Sequence, residues 1–170
     1  LILFSDHVEK YIPPKKDRSH ILRVVREVLF HQPEGTGTSL ESGLDFLMNV
    51  AKRKAVVFLI SDFLDEGYWK SLKLANRKHD MIGIRIADPA EKNLPDMGLI
   101  KVHDSETGDM FWADLSSTEE RNAFSQSITN KWETFENECG RSRLDVINVG
   151  TDADFVEPLM TYFQRREKRY

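Results

Sequence analysis

The chain has 170 residues, 40% hydrophobic and 31% charged, which is ordinary for a globular protein able to build one proper core. A formal net charge of −4 argues against general nucleic-acid binding, which is driven by phosphate neutralisation. No apolar run approaches the roughly 20 residues needed to span a bilayer, and the single cysteine, Cys139, excludes an intramolecular disulfide and suits the reducing cytoplasm.

The opening LILFSD reads as an apolar strand over Leu1–Ser5 that ends in Asp6. Val8–Ile12 alternates as a second strand, stopped by Pro13-Pro14. Ile21, Val24, Val25, Val28 and Leu29 recur at helical spacing, so a helix is predicted from about Ser19 to Phe30. Leu40, Leu44, Leu47 and Ala51 mark a second helix after the loop HQPEGTG. Val56–Ile60 is a strand so apolar that cover on both faces is expected, as for a central strand of a parallel sheet. Tyr68, Leu72 and Ala75 outline a third helix, and Met81–Ala87 is a strand ending in Asp88. Leu99–Val102 and Met110–Ala113 flank HDSETGD as a hairpin with glycine in its turn. Ser117 and Glu120 have capping-box spacing at the start of a long helix to about Glu138, with Gly140 placed to stop it. Leu144–Val149 is the last strand, followed by a helix from about Asp154 and the basic tail RREKRY. Alternating strands and helices with one inserted hairpin predict a single α/β domain over residues 1–170, three layers with a mostly parallel sheet.

Asp6, Asp62 and Asp88 directly follow predicted strands, and Asp152 comes just after a fourth. If those strands are parallel, the four acids share the carboxyl edge, where open α/β sheets bind ligands. Hard oxygen ligands there suit magnesium or manganese, whereas the five histidines show no paired spacing for zinc. Each acid has a plainer reading as a turn or helix cap. Asp65 in particular reads as a cap for the helix beginning near Glu66. In GTGTSLES, residues 35–42, three hydroxyls arrive just before a helix. They read as an anion or metal contact, or as a cap made by Thr38 or by Ser39. Trp69, Trp112 and Trp132 read as packing residues, and Ser61 and Cys139 lack the neighbours of a catalytic nucleophile.

GTSL at 37–40 and VVFLISD at 56–62 together resemble a von Willebrand factor A-type domain. That resemblance implies a Rossmann-like sandwich and a metal-ion-dependent adhesion site, with Thr38 and Asp62 at the positions of its threonine and aspartate ligands. LILFSDHVEKYIPP, KAVVFLISDFLD, HDMIGIRIADPAEKNLPDMGLI and DFVEPLMTYFQRREKRY extend the likeness to the bacterial "domain of unknown function 58" family, over almost the whole chain. The D-x-S-x-S loop of such a site, with the first central strand before it, is not found in the 170 residues. The chain therefore reads as a C-terminal fragment with an incomplete site and weak or absent metal binding. Mg2+ or Mn2+ is expected in the full-length parent. Another chain could fill the missing-strand gap, so self-association is an expectation too.

What the resemblance implies functionally is a non-enzymatic protein-interaction module, an accessory to a MoxR-type AAA+ ATPase or its client proteins. The alternative is a divalent-metal-dependent phosphotransferase or hydrolase using the acidic rim. Asp62 and Asp65 lack the D-x-D spacing and the neighbouring base that such chemistry favours.

Overall fold

The computed structural model describes residues 1–89, 94–103 and 110–168. In chain order the elements are β1 (Ile2–Phe4), β2 (Val8–Tyr11), α1 (Arg18–Phe30), α2 (Leu40–Val50), β3 (Val56–Ser61), α3 (Trp69–Lys78), β4 (Asp80–Ala87), β5 (Leu99–His103), β6 (Met110–Asp114), α4 (Thr118–Ser142), β7 (Asp145–Gly150) and α5 (Val156–Glu167). They fall into two compact units. Among the described residues, one holds 1–53, 65–75, 103 and 110, and the other holds 54–64, 76–89, 94–102 and 111–168. The expected hairpin forms as the paired strands β5 and β6, while its turn at 104–109 lies outside the described residues.

In the first unit β1 and β2 pair antiparallel, with the register slipping between Leu3 and Phe4. Apolar spacing in α2 turns Leu40 and Leu44 inward, and both are almost wholly buried. Gly43 lets this helix approach β1 closely, since a Cβ there would stand 2.9 Å from the Phe4 ring. Helix α1 forms where its periodicity predicts, with Asp17 accepting the His20 N–H at 2.7 Å as its cap. None of its residues is buried: Ile21, Val25, Val28 and Leu29 all face solvent.

The second unit is built on a parallel sheet in the order β3-β4-β7. Ile82, Ile147 and Val149 form a buried cluster on one face, with Leu159 and Tyr162 of α5 packed against it. On the other face Arg85 of β4 lies over Trp132 of α4, its guanidinium carbon 3.0 Å from the ring centroid. Phe63 stacks near Phe135 with centroids 4.8 Å apart. This unit thus has the expected layering, helix on sheet on helix. Arg166 ties α5 to β4 through Asp80, and the Tyr162 hydroxyl donates to Asp145 at 3.0 Å.

Four readings from the sequence are corrected here. Strand β3 is an edge of its sheet among the described residues, and β4 is the central strand. Only one face of β3 is covered, for Val56, Phe58 and Ile60 are 57%, 43% and 60% exposed. Gly140 does not stop α4, which runs on to Ser142 because Arg143 adopts the left-handed conformation at φ 51° and closes the helix. Trp112 is no packing residue but lies largely exposed on β6.

Candidate functional site at the strand ends

Three of the four rim acids follow strands of the parallel sheet. Asp62 leaves β3, Asp88 leaves β4 and Asp152 comes two residues after β7, and all three are exposed. The register staggers them along the edge. Ser61 pairs with Arg85, so Asp62 is level with Ile86 and Asp88 stands two residues, about 7 Å, farther along. Asp6 follows β1, which pairs with β2 in an antiparallel sheet of its own in the first unit.

The loop that presents Asp62 is held from below. Asp62 Oδ1 accepts the Leu64 N–H at 3.1 Å, and Ser61 Oγ accepts the Phe63 N–H at 3.1 Å. Phe63 itself sits at φ 59°, a region that bulky residues enter only when their surroundings compel it. Burial of its ring against Phe135 supplies that compulsion, and the strained turn lifts Asp62 toward solvent. Asp62 therefore both makes a turn and keeps an exposed carboxylate.

Thr38 lies in the first unit, exposed, in the loop before α2. Ser39 is the cap of that helix and accepts the Ser42 N–H at 3.2 Å, leaving Thr38 outside the capping role. The Ser39 N–H in turn reaches the Ser5 carbonyl at 2.7 Å, and the Ser42 hydroxyl reaches the Asp6 carbonyl at 3.3 Å. Gly35 is required where it is, since any Cβ would come 2.2 Å from both Asp6 Oδ1 and Ser5 Oγ. Asp6 thus lies beside the GTGTS loop, a neighbour the strand-edge reading did not anticipate.

Asp65 caps a helix, but not the one after it. Its Oδ2 accepts the first N–H of α2, Leu40, at 2.8 Å, while Oδ1 takes the Glu66 N–H at 2.7 Å. Helix α3 starts only at Trp69. We expect Asp65→Ala to destabilise the chain by about 1 kcal/mol, the usual cost of a lost cap, in urea unfolding followed by circular dichroism.

Glu9 was not singled out in the sequence, and it organises this region. Its carboxylate, only 3% exposed, accepts from Ser5 Oγ at 2.6 Å, the Gly35 and Glu34 N–H groups at 3.0 Å each, and His31 Nε2 at 2.6 Å. A carboxylate can only accept, so His31 carries its proton on Nε2. The Ser5 hydroxyl first, then the Gly35 N–H, hold the Glu9 carboxyl down at about 2. Nearby, the hydrogen bond from His7 lowers the pKa of Asp6 and raises that of His7 itself. An acid at an alternating strand position is a faint signal, because all its partners but Ser5 arrive from more than 20 residues downstream.

Among the described residues, no group of three or more His, Cys, Asp and Glu side chains is arranged to hold a metal. Thr38 and Asp62 belong to different units, so the proposed ligand pair is not assembled within either one. Cys139 is buried on α4, its thiol pushed up to about 12 by burial and then by Glu136 and Glu138, so it is not poised as a nucleophile. No helix among the described residues is long and apolar enough to cross a membrane.

Comparison with known proteins agrees with the likeness to the "domain of unknown function 58" family. The family model described as "Protein of unknown function DUF58" matches residues 1–134. Uncharacterized protein Rv1480 of Mycobacterium tuberculosis is 28% identical over 100 residues, covering 57% of this chain and 32% of the relative. Uncharacterized protein Mb1516 of Mycobacterium bovis gives the same figures. Uncharacterized protein MAV169 of Mycobacterium avium is 30% identical over 95 residues, covering 55% of this chain and 56% of the relative. The match thus spans about a third to a little over half of these relatives' length. No solved structure matches the chain significantly.

Proposed function

The chain belongs to the DUF58 family, and from that premise we propose that it is a protein-interaction module with no catalytic role of its own. The observation that carries this reading is the row of exposed carboxylates, Asp62, Asp88 and Asp152, at the ends of three adjacent parallel strands. Such an edge presents charge to a partner. The stagger between Asp62 and Asp88 suits contact across a surface better than convergence on one reacting atom.

The fold is of the von Willebrand factor A type, and the partner is a MoxR-type AAA+ ATPase or a client of it in the cytoplasm. The residues of this chain alone do not fit a complete metal-ion-dependent adhesion site. In the longer parent, Thr38 and Asp62 would contribute ligands to Mg2+ or Mn2+, which would supply a Lewis-acid contact for a partner's carboxylate. Here Asp62 offers that partner its exposed edge, and Phe63 fixes where the carboxylate stands.

Binding of the purified ATPase to the longer parent, measured by calorimetry, tests the reading. Asp62→Ala is expected to weaken it about tenfold or more, the loss of one charged contact at a desolvated interface. Manganese binding should disappear in the same variant and should be weak in the 170-residue chain. Unchanged partner affinity in Asp62→Ala would sink the proposal. Hydrolysis of a phosphate ester that depends on Asp62 would replace it with the enzymatic reading.

A further inference from the structure

A cleft of about 440 Å3 is walled by Asp145–Asn148 of β7 and by one flank of α5. No residue of β4 lines it, so it runs along the outer side of β7, away from the one strand with which β7 pairs among the described residues. All its lining residues belong to the second unit.

The strand wall is a row of backbone groups. The Thr151 N–H donates to the Ala87 carbonyl of β4 at 3.0 Å. Successive residues of a strand turn their N–H and C=O to opposite sides. Val149, Ile147 and Asp145 therefore face β4 as Thr151 does, and Val146 and Asn148 present theirs to the cleft.

The helix wall is a charged stripe. Helix α5 follows β7 after the loop 151–155 and runs back along it, so that the Tyr162 hydroxyl reaches Asp145 at the start of the strand. Leu159 and Tyr162 pack on the sheet, and Phe163 leans toward Phe58 of β3. The opposite flank therefore overhangs the outer side of β7. It carries Glu157, Thr161 and Arg165, spaced i, i+4 and i+8 and all exposed. Arg166 is taken by Asp80 and Tyr162, which leaves Arg165 as the cation of this flank.

We propose that this cleft binds an extended segment of a partner protein, added to β7 as an antiparallel strand, with a basic side chain beside Glu157 and an acidic one four residues later beside Arg165. A peptide backbone is the ligand that matches alternating N–H and C=O groups, and such pairing supplies affinity while side-chain contacts supply selectivity. The spacing fits. Eight helical residues separate Glu157 from Arg165, about 12 Å. Residues i and i+4 of a strand point to the same side about 13 Å apart. The residue between them, i+2, comes level with Thr161 and suits a small apolar side chain. Antiparallel pairing, the more stable kind, runs the segment from the Glu157 end to the Arg165 end, so the base precedes the acid in its sequence. The cleft does not include Asp62, Asp88 or Asp152, so it is a contact additional to the carboxyl edge.

Fluorescence anisotropy of labelled peptides on the 170-residue chain tests this. A peptide with the core KTVTE should bind, and one with the reversed core ETVTK should bind about tenfold more weakly despite the same composition. Arg165→Glu should weaken the first peptide about tenfold. Combining Glu157→Lys with Arg165→Glu should invert the preference, an outcome that loss of folding does not produce. Both side chains are exposed, and circular dichroism checks that the variants keep their helix content. Methylating the backbone nitrogens of alternate peptide residues should abolish binding in one phase and spare it in the other, as pairing with Val146 and Asn148 requires. A chain that binds neither peptide overturns the proposal, whatever else covers β7. So do equal affinities for the two cores, a double variant that keeps the original preference, or methylation that acts alike in both phases. Arg165→Glu leaves Asp62 in place, so its effect on peptide binding is separable from ATPase binding at the carboxyl edge.

Discussion

Replacing Trp132 by alanine is expected to destabilise the second unit by about 3–5 kcal/mol, the range for removing a buried tryptophan. Trp132 is 5% exposed, makes an edge contact with Phe135 at 6.2 Å, and forms the floor on which Arg85 rests. Arg85 is itself only 4% exposed, on the central strand β4. Truncating the ring therefore opens a cavity and takes a polarisable surface away from a buried cation at one stroke. Trp132→Phe should cost clearly less, since a π face remains and the indole N–H has no hydrogen-bond partner among the described residues. Urea unfolding of the three proteins, followed by far-ultraviolet circular dichroism, measures the order. Equal losses for alanine and phenylalanine would show that Arg85 does not depend on the ring.

The second large effect concerns Glu9 and carries a pH signature. Glu9→Gln keeps the shape of the side chain but turns an amide NH2 toward groups that are themselves donors. The thermal midpoint at neutral pH should fall by several degrees. The sign of the pH dependence follows from the folded carboxyl lying at about 2 against an ordinary value of 4.5. A depressed carboxyl contributes stability above its unfolded value and loses it as pH falls toward the folded one. The gap between wild type and variant should therefore be full above pH 4.5 and close progressively toward pH 2. Midpoints measured across that range decide it, and a constant gap would show that shape and not charge holds the loop.

These residues also mark where the sequence could be read and where it could not. Helix α2 was legible because Leu40 and Leu44 repeat at helical spacing and both are buried. The parallel pairing of β3 with β4 followed from uninterrupted apolar runs separated by a helix. The same rule misplaced β3 in the centre of its sheet. An apolar run reports that a strand would favour cover on both faces, not that this chain provides it. Asp62 and Asp88 were found because an acid at a strand end is a local pattern. Glu9 and Asp65 were missed or misassigned because their work is non-local. Glu9 meets the Gly35 N–H, and Asp65 caps Leu40, each across some 25 residues of chain.

Cys139 gives the chain an internal clock. It is the sole cysteine, it is sealed into α4, and its thiol is pushed up to about 12, so almost none of it is thiolate near neutral pH. A maleimide added to the native protein can reach it only in the moments when α4 opens. The rate of alkylation, divided by that of an unstructured thiol, then gives the fraction of time the helix spends open, in water and without denaturant. The same silence leaves any cysteine introduced on the surface as a uniquely addressable position for a dye or a spin label.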